Sequence, residues 1–181
     1  MSELICVTNR TLCSGDFLRR IEQIAQAKSD RIILREKDLS DSDYAALAEP
    51  VMEICRKYGV ICTLHGHPEA ALRLGAKSVH LPLPVLRTLD RDVLRRFDET
   101  GTSCHSLDEL KEAEQYGVSY VIAGHIFETD CKRGLQGKGL IFLREMCADT
   151  ELPVYGIGDH ESKYTGKENS EEGDAQFEIA D

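Results

Sequence analysis

The feature that most restricts what this chain can become is its beat. A short apolar run halts at a glycine, a histidine or a charged side chain, an amphipathic stretch follows, and the pair repeats. The apolar runs lie at residues 4–8, 31–34, 60–64, 78–81, 102–104, 120–124 and 153–158. Between them, residues 17–28 place Phe17, Ile21, Ile24 and Ala25 on one helical face. Further helices are expected over 44–58, 68–74, 85–100, from Ser106-Leu107-Asp108-Glu109 to Gly117, and over 140–148. Ser40 with Asp43, and Ser106 with Glu109, have the spacing of capping boxes.

Strands that read as unbroken apolar runs belong to sheets covered on both faces, and strict strand–helix alternation makes such a sheet parallel. Two architectures satisfy this, an open doubly wound sheet and a (β/α)8 TIM barrel. No Gly-x-Gly-x-x-Gly turn follows the first run, which favours the barrel. Seven β/α units fill residues 1–158, read as one α/β barrel domain. The eighth unit is truncated or divergent. Residues 159–181 carry eight acids and two lysines, a net of −6 that leaves −4 of the total −10 for the rest. Within that acidic segment only residues 175–180 alternate as a strand would; disorder or an edge strand is the expectation there, with a partner copy in a homo-oligomer as one way to cover an open barrel.

Composition removes several classes of function. A net charge of −10 disfavours general nucleic-acid binding. No apolar run approaches the roughly 20 residues of a membrane span, and Met1-Ser2-Glu3-Leu4 does not open like a secretory leader, so a cytoplasmic protein is expected. Seven cysteines (6, 13, 55, 62, 104, 131 and 147) without a Cys-x-x-Cys pair fit a reducing compartment better than a disulfide framework.

Ionisable residues gather just after the apolar runs: Arg35 and Lys37, His65 and His67, His105, His125, Asp159. In either parallel architecture that edge holds the active site. The densest stretch begins where Tyr120-Val121-Ile122-Ala123-Gly124 meets His125 and continues through Lys132, Gln136-Gly137-Lys138-Gly139 and three more ionisable residues. His125 is the candidate acid–base group, since imidazole titrates in the useful range. The glycine-flanked Lys138 loop can wrap an anion with backbone N–H groups. Ser106 is expected to be only a helix cap. Cys131 abuts Lys132, which lowers a thiol pKa, yet a structural cysteine is the simpler reading. A zinc site among His65, His67, His105 and His125 lacks a carboxylate ligand, so no metal is assigned.

Gly124-His-Ile-Phe-Glu-Thr-Asp-Cys-Lys132 followed by Gly134-Leu-Gln-Gly-Lys-Gly139 resembles the signature segment of the thiazole tautomerases. These are the TenI-type members of the thiamine phosphate synthase superfamily, small TIM barrels. The likeness extends over about residues 3–158 through Ile33-Leu34-Arg35-Glu36-Lys37, Ala71-Leu72-Arg73-Leu74-Gly75-Ala76, Val79-His80-Leu81-Pro82 and His105-Ser106-Leu107-Asp108-Glu109. It implies a metal-free, cofactor-free isomerisation of a carboxylated dihydrothiazole phosphate in thiamine biosynthesis. His125 stands at the catalytic position. Arg35, Lys37, His105, Lys132 and Lys138 are implied to hold the anionic small molecule, and the backbone at Gly156 and Gly158 its phosphate. The sister synthases couple a pyrimidine pyrophosphate to thiazole phosphate with Mg²⁺, and they end the third strand in Asn-Asp and follow the fourth with Asp. Here those places hold His65-Gly66 and Pro82-Leu83-Pro84-Val85, although Arg35-Glu36-Lys37 is closer to the synthase's diphosphate-binding pattern. Asp159 after Gly158 departs from the phosphate-binding Gly-Gly of the family, so a non-catalytic binder of thiamine precursors is a further expectation.

Overall fold

A computed structural model describes residues 3–126 and 137–157 and the backbone of 177–179. Seven strands run parallel in chain order: β1 (Leu4–Val7), β2 (Arg31–Leu34), β3 (Ile61–His65), β4 (Ser78–His80), β5 (Glu99–Cys104), β6 (Tyr120–Ala123) and β7 (Val154–Gly156). An eighth, β8 (Phe177–Ile179), pairs antiparallel with the outer edge of β1. This is a curled parallel half-barrel whose last strand arrives against the direction of the rest, as the edge strand expected from residues 175–180.

The helices α1 (Phe17–Gln26), α2 (Asp41–Tyr58), α3 (Pro68–Leu74), α4 (Leu83–Leu86), α5 (Arg91–Leu94), α6 (Leu107–Tyr116) and α7 (Gly139–Ala148) cover the outside. Residues of one strand parity, Ile32, Leu34, Leu64, Val79, Cys104, Val121 and Ala123, meet Ile21, Tyr44, Ala48, Val51, Leu110 and Met146 from the helices in one buried cluster. The other parity points into the lumen, where Ile5, Ile33, Tyr120 and Ile122 pack with Val7, Tyr155 and Ile157. Each such side chain is worth roughly 1.5–3 kcal/mol when fully withdrawn from water. The capping boxes form as the spacing predicts: Ser40 Oγ accepts the Asp43 N–H at 3.2 Å, and Ser106 Oγ the Glu109 N–H at 3.1 Å.

One expectation fails. Instead of a helix over 85–100, the chain makes the single turns α4 and α5, and the fifth strand begins at Glu99, three residues early. Pro82 and Pro84 open the first turn. Asp90, in extended backbone, starts the second. The apolar positions Leu83, Leu86, Leu94 and Phe97 are all buried, so the helix-like spacing was satisfied by two short turns without a continuous helix between them.

The register aligns polar residues across the lumen. Thr63 pairs with Ser78 and Ser78 with Glu99, while His65, His80, Gly101 and Tyr120 form the next row. Arg31, 5 % exposed, reaches into the first row and donates to Thr63 Oγ1, Ser78 Oγ and Glu99 Oε2, each at 2.8 Å. In the second row Gly101 is a steric requirement. A Cβ there would lie 2.0 Å from Cζ of Tyr120, whose ring leans across the glycine to bring its hydroxyl 3.2 Å from His80 Nδ1. His80 Nε2 bonds Ser103 Oγ at 2.8 Å.

Candidate active site

The carboxyl ends of the strands form the mouth, and the residues that emerge there fall in two sectors. The first is built by β2 and β3. Arg35 directly follows β2 on the lumen parity of Arg31 and Ile33 and is half-buried, while Lys37 is exposed. Glu36 between them is turned in, 2 % exposed, where it accepts the Thr8 hydroxyl at 2.6 Å and the Arg10 backbone N–H at 3.0 Å. The Arg-Glu-Lys triplet thus spends its acid on the β1 loop and presents its two cations. Thr8 Oγ1 also accepts the Arg35 N–H at 3.0 Å, which fixes where that residue leaves the strand.

Tyr44, fully buried at the start of α2, joins β2 to β3. Its hydroxyl donates to the Leu34 carbonyl at 2.7 Å and accepts the His65 N–H at 2.8 Å. Burial pulls the His65 imidazole down to about 3, and the positive charges of Arg35 and Lys37 reinforce the shift. His80, paired beside it across β3 and β4, is depressed as well, first by burial, then by His65, Arg31 and Arg35. The two rings stack at 5.4 Å and 13°. They are neutral imidazoles within the field of the Arg35 and Arg31 guanidinium groups.

On the same sector His67 opens α3 ahead of Pro68, its ring stacked on Tyr44 at 4.0 Å and its Nδ1 2.5 Å from Asp41 Oδ1. Neither the sequence spacing nor the resemblance marked Asp41 or Tyr44. Their signal was present only as an acid and an aromatic in the first turn of an amphipathic helix, which ordinarily means capping and core.

The second sector is built by β5, β6 and the start of α7. His125 follows Gly124 at the end of β6 and is 8 % exposed. Its carbonyl accepts the Lys138 N–H at 3.1 Å, and the next N–H, of Ile126, donates to the Ile157 carbonyl at 2.7 Å, so the residue is held between α7 and β7. His105 lies exposed at the end of β5, its ring directly over Gly124, where a Cβ would come within 1.7 Å of Nδ1. The ammonium of Lys138 donates to the His105 carbonyl and sits 4.7 Å from the centre of the Phe142 ring. Lys138 therefore clamps the β5 end to α7. Gly156 closes β7 on the helix-facing parity, with a Cβ position 3.4 Å from Ile126 and Leu143. Lys132 and Gly158 lie outside the described residues, as do Cys131 and Gln136. The structure thus brings Arg35, Lys37, His65 and His67 together on one side, and His105, His125 and Lys138 on the other.

The Mg²⁺ of the synthase chemistry needs hard oxygen ligands. At the third and fourth strand ends stand a buried neutral imidazole, a glycine and a proline; of the nearby carboxylates, Glu36 is committed to Thr8 and Arg10 and Asp41 is bonded to His67. Among the described residues no group of three or more His, Cys, Asp or Glu side chains gathers to hold a metal ion. The described part of the mouth does not fit that ion. No helix among the described residues is long and apolar enough to cross a membrane.

A half-barrel of parallel β/α units with its ionisable residues on the carboxyl rim is the class that fold and site define. Solved structures agree with the architecture. Thiamine phosphate pyrophosphorylase from Pyrococcus furiosus superimposes with a TM-score of 0.72 at 23 % identity, over 85 % of this chain and 73 % of that one. The corresponding protein of Bacteroides thetaiotaomicron gives 0.58 at 18 % identity, over 86 % and 72 %. In sequence, the chain is 30 % identical over 161 residues to the "putative thiamine-phosphate synthase 2" of Aquifex aeolicus, spanning 87 % of this chain and 85 % of the relative. It is 29 % identical over 160 residues to the thiamine-phosphate synthase of Clostridium acetobutylicum. With residues 4–167 also matching the family model described as thiamine monophosphate synthase, the chain belongs to the thiamine monophosphate synthase/TenI family.

Proposed function

We propose that this protein is an enzyme of thiamine biosynthesis that takes an anionic thiazole phosphate at the barrel mouth and isomerises it by moving a proton. The observation that carries this reading is the chemistry of the rim. Arg35 is half-buried and Lys37 exposed after β2, their charges act on the neutral imidazole of His65, and the third and fourth strand ends carry no carboxylate of their own. Cations that hold a carboxylate or phosphate, together with a histidine at the β6 end, supply what a proton shift asks for: fixed orientation and an acid–base group. His125 is that group in this reading, with Lys132 and the backbone at Gly158 as further contacts to the anion.

A second reading, coupling of a pyrimidine pyrophosphate to thiazole phosphate, is favoured by a different observation. The relatives carry the name thiamine-phosphate synthase, and the outward pair Arg35 and Lys37 suits a diphosphate. The names of the relatives support this reaction more directly than the isomerisation, and the rim residues support the isomerisation more directly than the coupling. One set of assays separates them. Purified protein is given carboxylated dihydrothiazole phosphate, with product followed by absorbance and mass spectrometry, and separately both synthase substrates with Mg²⁺, with pyrophosphate release followed. Isomerisation that falls about 10²–10⁴-fold in His125→Ala is the expected result. Mg²⁺-dependent pyrophosphate release without isomerisation would replace the first reading by the second. Binding of the thiazole phosphate with neither reaction would leave a precursor-binding barrel.

A further inference from the structure

A proton shift between two carbons takes one proton away and delivers another, and one histidine is the only acid–base group so far assigned to the mouth. The β3 sector holds a second imidazole with the marks of a working one. His67 leaves the barrel immediately after β3 and Gly66, at the start of α3, where a proline follows and its own side chain caps nothing. The ring is fixed from two directions. Its face lies on Tyr44 at 4.0 Å and 23°, and Tyr44 is itself fully buried, with its hydroxyl bonded to both strand ends. Its Nδ1 meets Asp41 Oδ1 at 2.5 Å.

An ionised carboxylate only accepts hydrogen bonds, so Nδ1 carries the proton and donates it to Asp41. The neutral ring then keeps its lone pair on Nε2. The same carboxylate stabilises the imidazolium that forms when Nε2 takes up a proton, the generalised logic of a base oriented by a third group. The side chain of His67 is 16 % exposed, so the ring keeps some access to solvent at the carboxyl end of β3.

We propose that His67 is a second proton-handling residue of this site, positioned by Asp41 and Tyr44. This rests on the proton-transfer reading above. Nε2 of His67 removes the proton from the ring carbon and leaves His67 an imidazolium, the C–H electron pair moves into the ring, the double bond shifts, and His125, entering the cycle as the imidazolium, gives its proton to the exocyclic carbon and is left neutral. The two imidazoles then exchange one proton with solvent to reset, so the sum is an isomerisation with no net change in charge or oxidation state. The charged and titratable groups facing His67 are Asp41 and Tyr44 from α2, His65 from β3 with Arg35 and Lys37 beyond it, and Glu69 on its own helix. The cations near it hold the anionic substrate, and the one contacting carboxylate is the one that orients the ring.

The test has two arms, so that this inference and the reading it rests on fail separately. In the first, ¹⁵N NMR of imidazole-labelled protein reports the tautomer of His67 and its response to thiazole phosphate as probe. The expected result is a protonated Nδ1 and an unprotonated Nε2, the preference lost in Asp41→Asn, and an Nε2 resonance displaced at saturating probe. An Nε2-protonated ring, or an Nε2 unmoved at saturation, overturns the proposal whether or not the enzyme turns over. In the second arm, His67→Asn lowers kcat for isomerisation about 10²-fold or more while KM and the melting temperature stay close to wild type, and Asp41→Asn lowers kcat about tenfold, partly restored in Asp41→Glu. A wild-type enzyme that isomerises the substrate and a His67→Asn variant within twofold of it overturns the proposal and leaves the function of the protein intact.

Discussion

Arg31 and Arg35 sit four residues apart along β2 and its extension, on the same face, and they do opposite things. Arg31, deep in the lumen, is consumed by the protein: its guanidinium meets Thr63, Ser78 and Glu99, and lies 4.9 Å from the centre of the Tyr120 ring. Arg35, two lumen positions towards the rim, stands outside that network, and its charge is felt by the neutral rings of His65 and His80. A buried charge that is paired and hydrogen-bonded is structure. The same side chain at a strand end, over uncharged imidazoles, is an electrostatic invitation to an anion. The barrel is therefore polar along much of its bore, and what separates its core from its site is whether the polar groups answer one another.

The largest effect that should separate the two arginines is on stability. Arg31→Ala removes three hydrogen bonds at once, leaving Thr63 and Ser78 with only their mutual bond at 2.8 Å and Glu99, whose side chain is 40 % exposed, without its cation, for an expected loss of about 2 kcal/mol. Urea unfolding measures it. A loss below about 1 kcal/mol would mean the bore tolerates unpaired polar groups, and the contrast with the rim would dissolve.

How much of this could be read from residue order divides along the same line. The parallel architecture was readable because strand and helix alternate in apolarity, a one-dimensional signal, and Ser40 and Ser106 cap where their spacing says. The helix drawn over residues 85–100 failed because Leu83, Leu86, Leu94 and Phe97 recur at near-helical intervals while prolines and Asp90 divide the backbone between them. The lumen network was invisible for a different reason. Arg31 and Ser78 open expected strands and Glu99 falls within the helix expected over 85–100, and nothing joins the three until the register places Ser78 beside both Thr63 and Glu99. The same holds for the rim. Arg35, Lys37, His105 and His125 follow apolar runs and could be marked from sequence, whereas Asp41 and His67 are 26 residues apart and meet only because α2 begins beside the end of β3.

The next effect is a pH dependence that belongs to the bore. His65 is held at about 3 in the folded chain, against roughly 6.5 unfolded, and His80 is shifted the same way. Between those values the unfolded chain binds protons that the folded chain refuses, so stability falls as pH falls below about 6.5. Each histidine contributes up to about 1.4 kcal/mol per pH unit to that slope. Urea midpoints collected from pH 7 to pH 4.5 should show the decline, and His65→Asn should make it shallower by about one histidine's share. A profile that is flat over this range, or unchanged in the variant, would show that the rings accept protons in place and that the lumen is wetter than its hydrogen bonding implies.

The smallest expected change in stability is also the sharpest test of the comparison. Arg35 contributes its backbone N–H to Thr8 and its charge to the rim, and truncation to alanine keeps the first and removes the second. A surface-type substitution of this kind moves stability by no more than about 0.5 kcal/mol. The lost charge should nonetheless weaken thiazole phosphate binding by about 10–100-fold, the range of one charge-assisted hydrogen bond, as read by titration calorimetry. It should also relieve part of the depression of His65, since Arg35 is the first cation that opposes protonation of that ring. An Arg35→Ala protein that unfolds readily yet binds the ligand as well as wild type would reverse the assignment, making the rim arginine a strut like Arg31 and moving the anion site to the β6 side of the mouth.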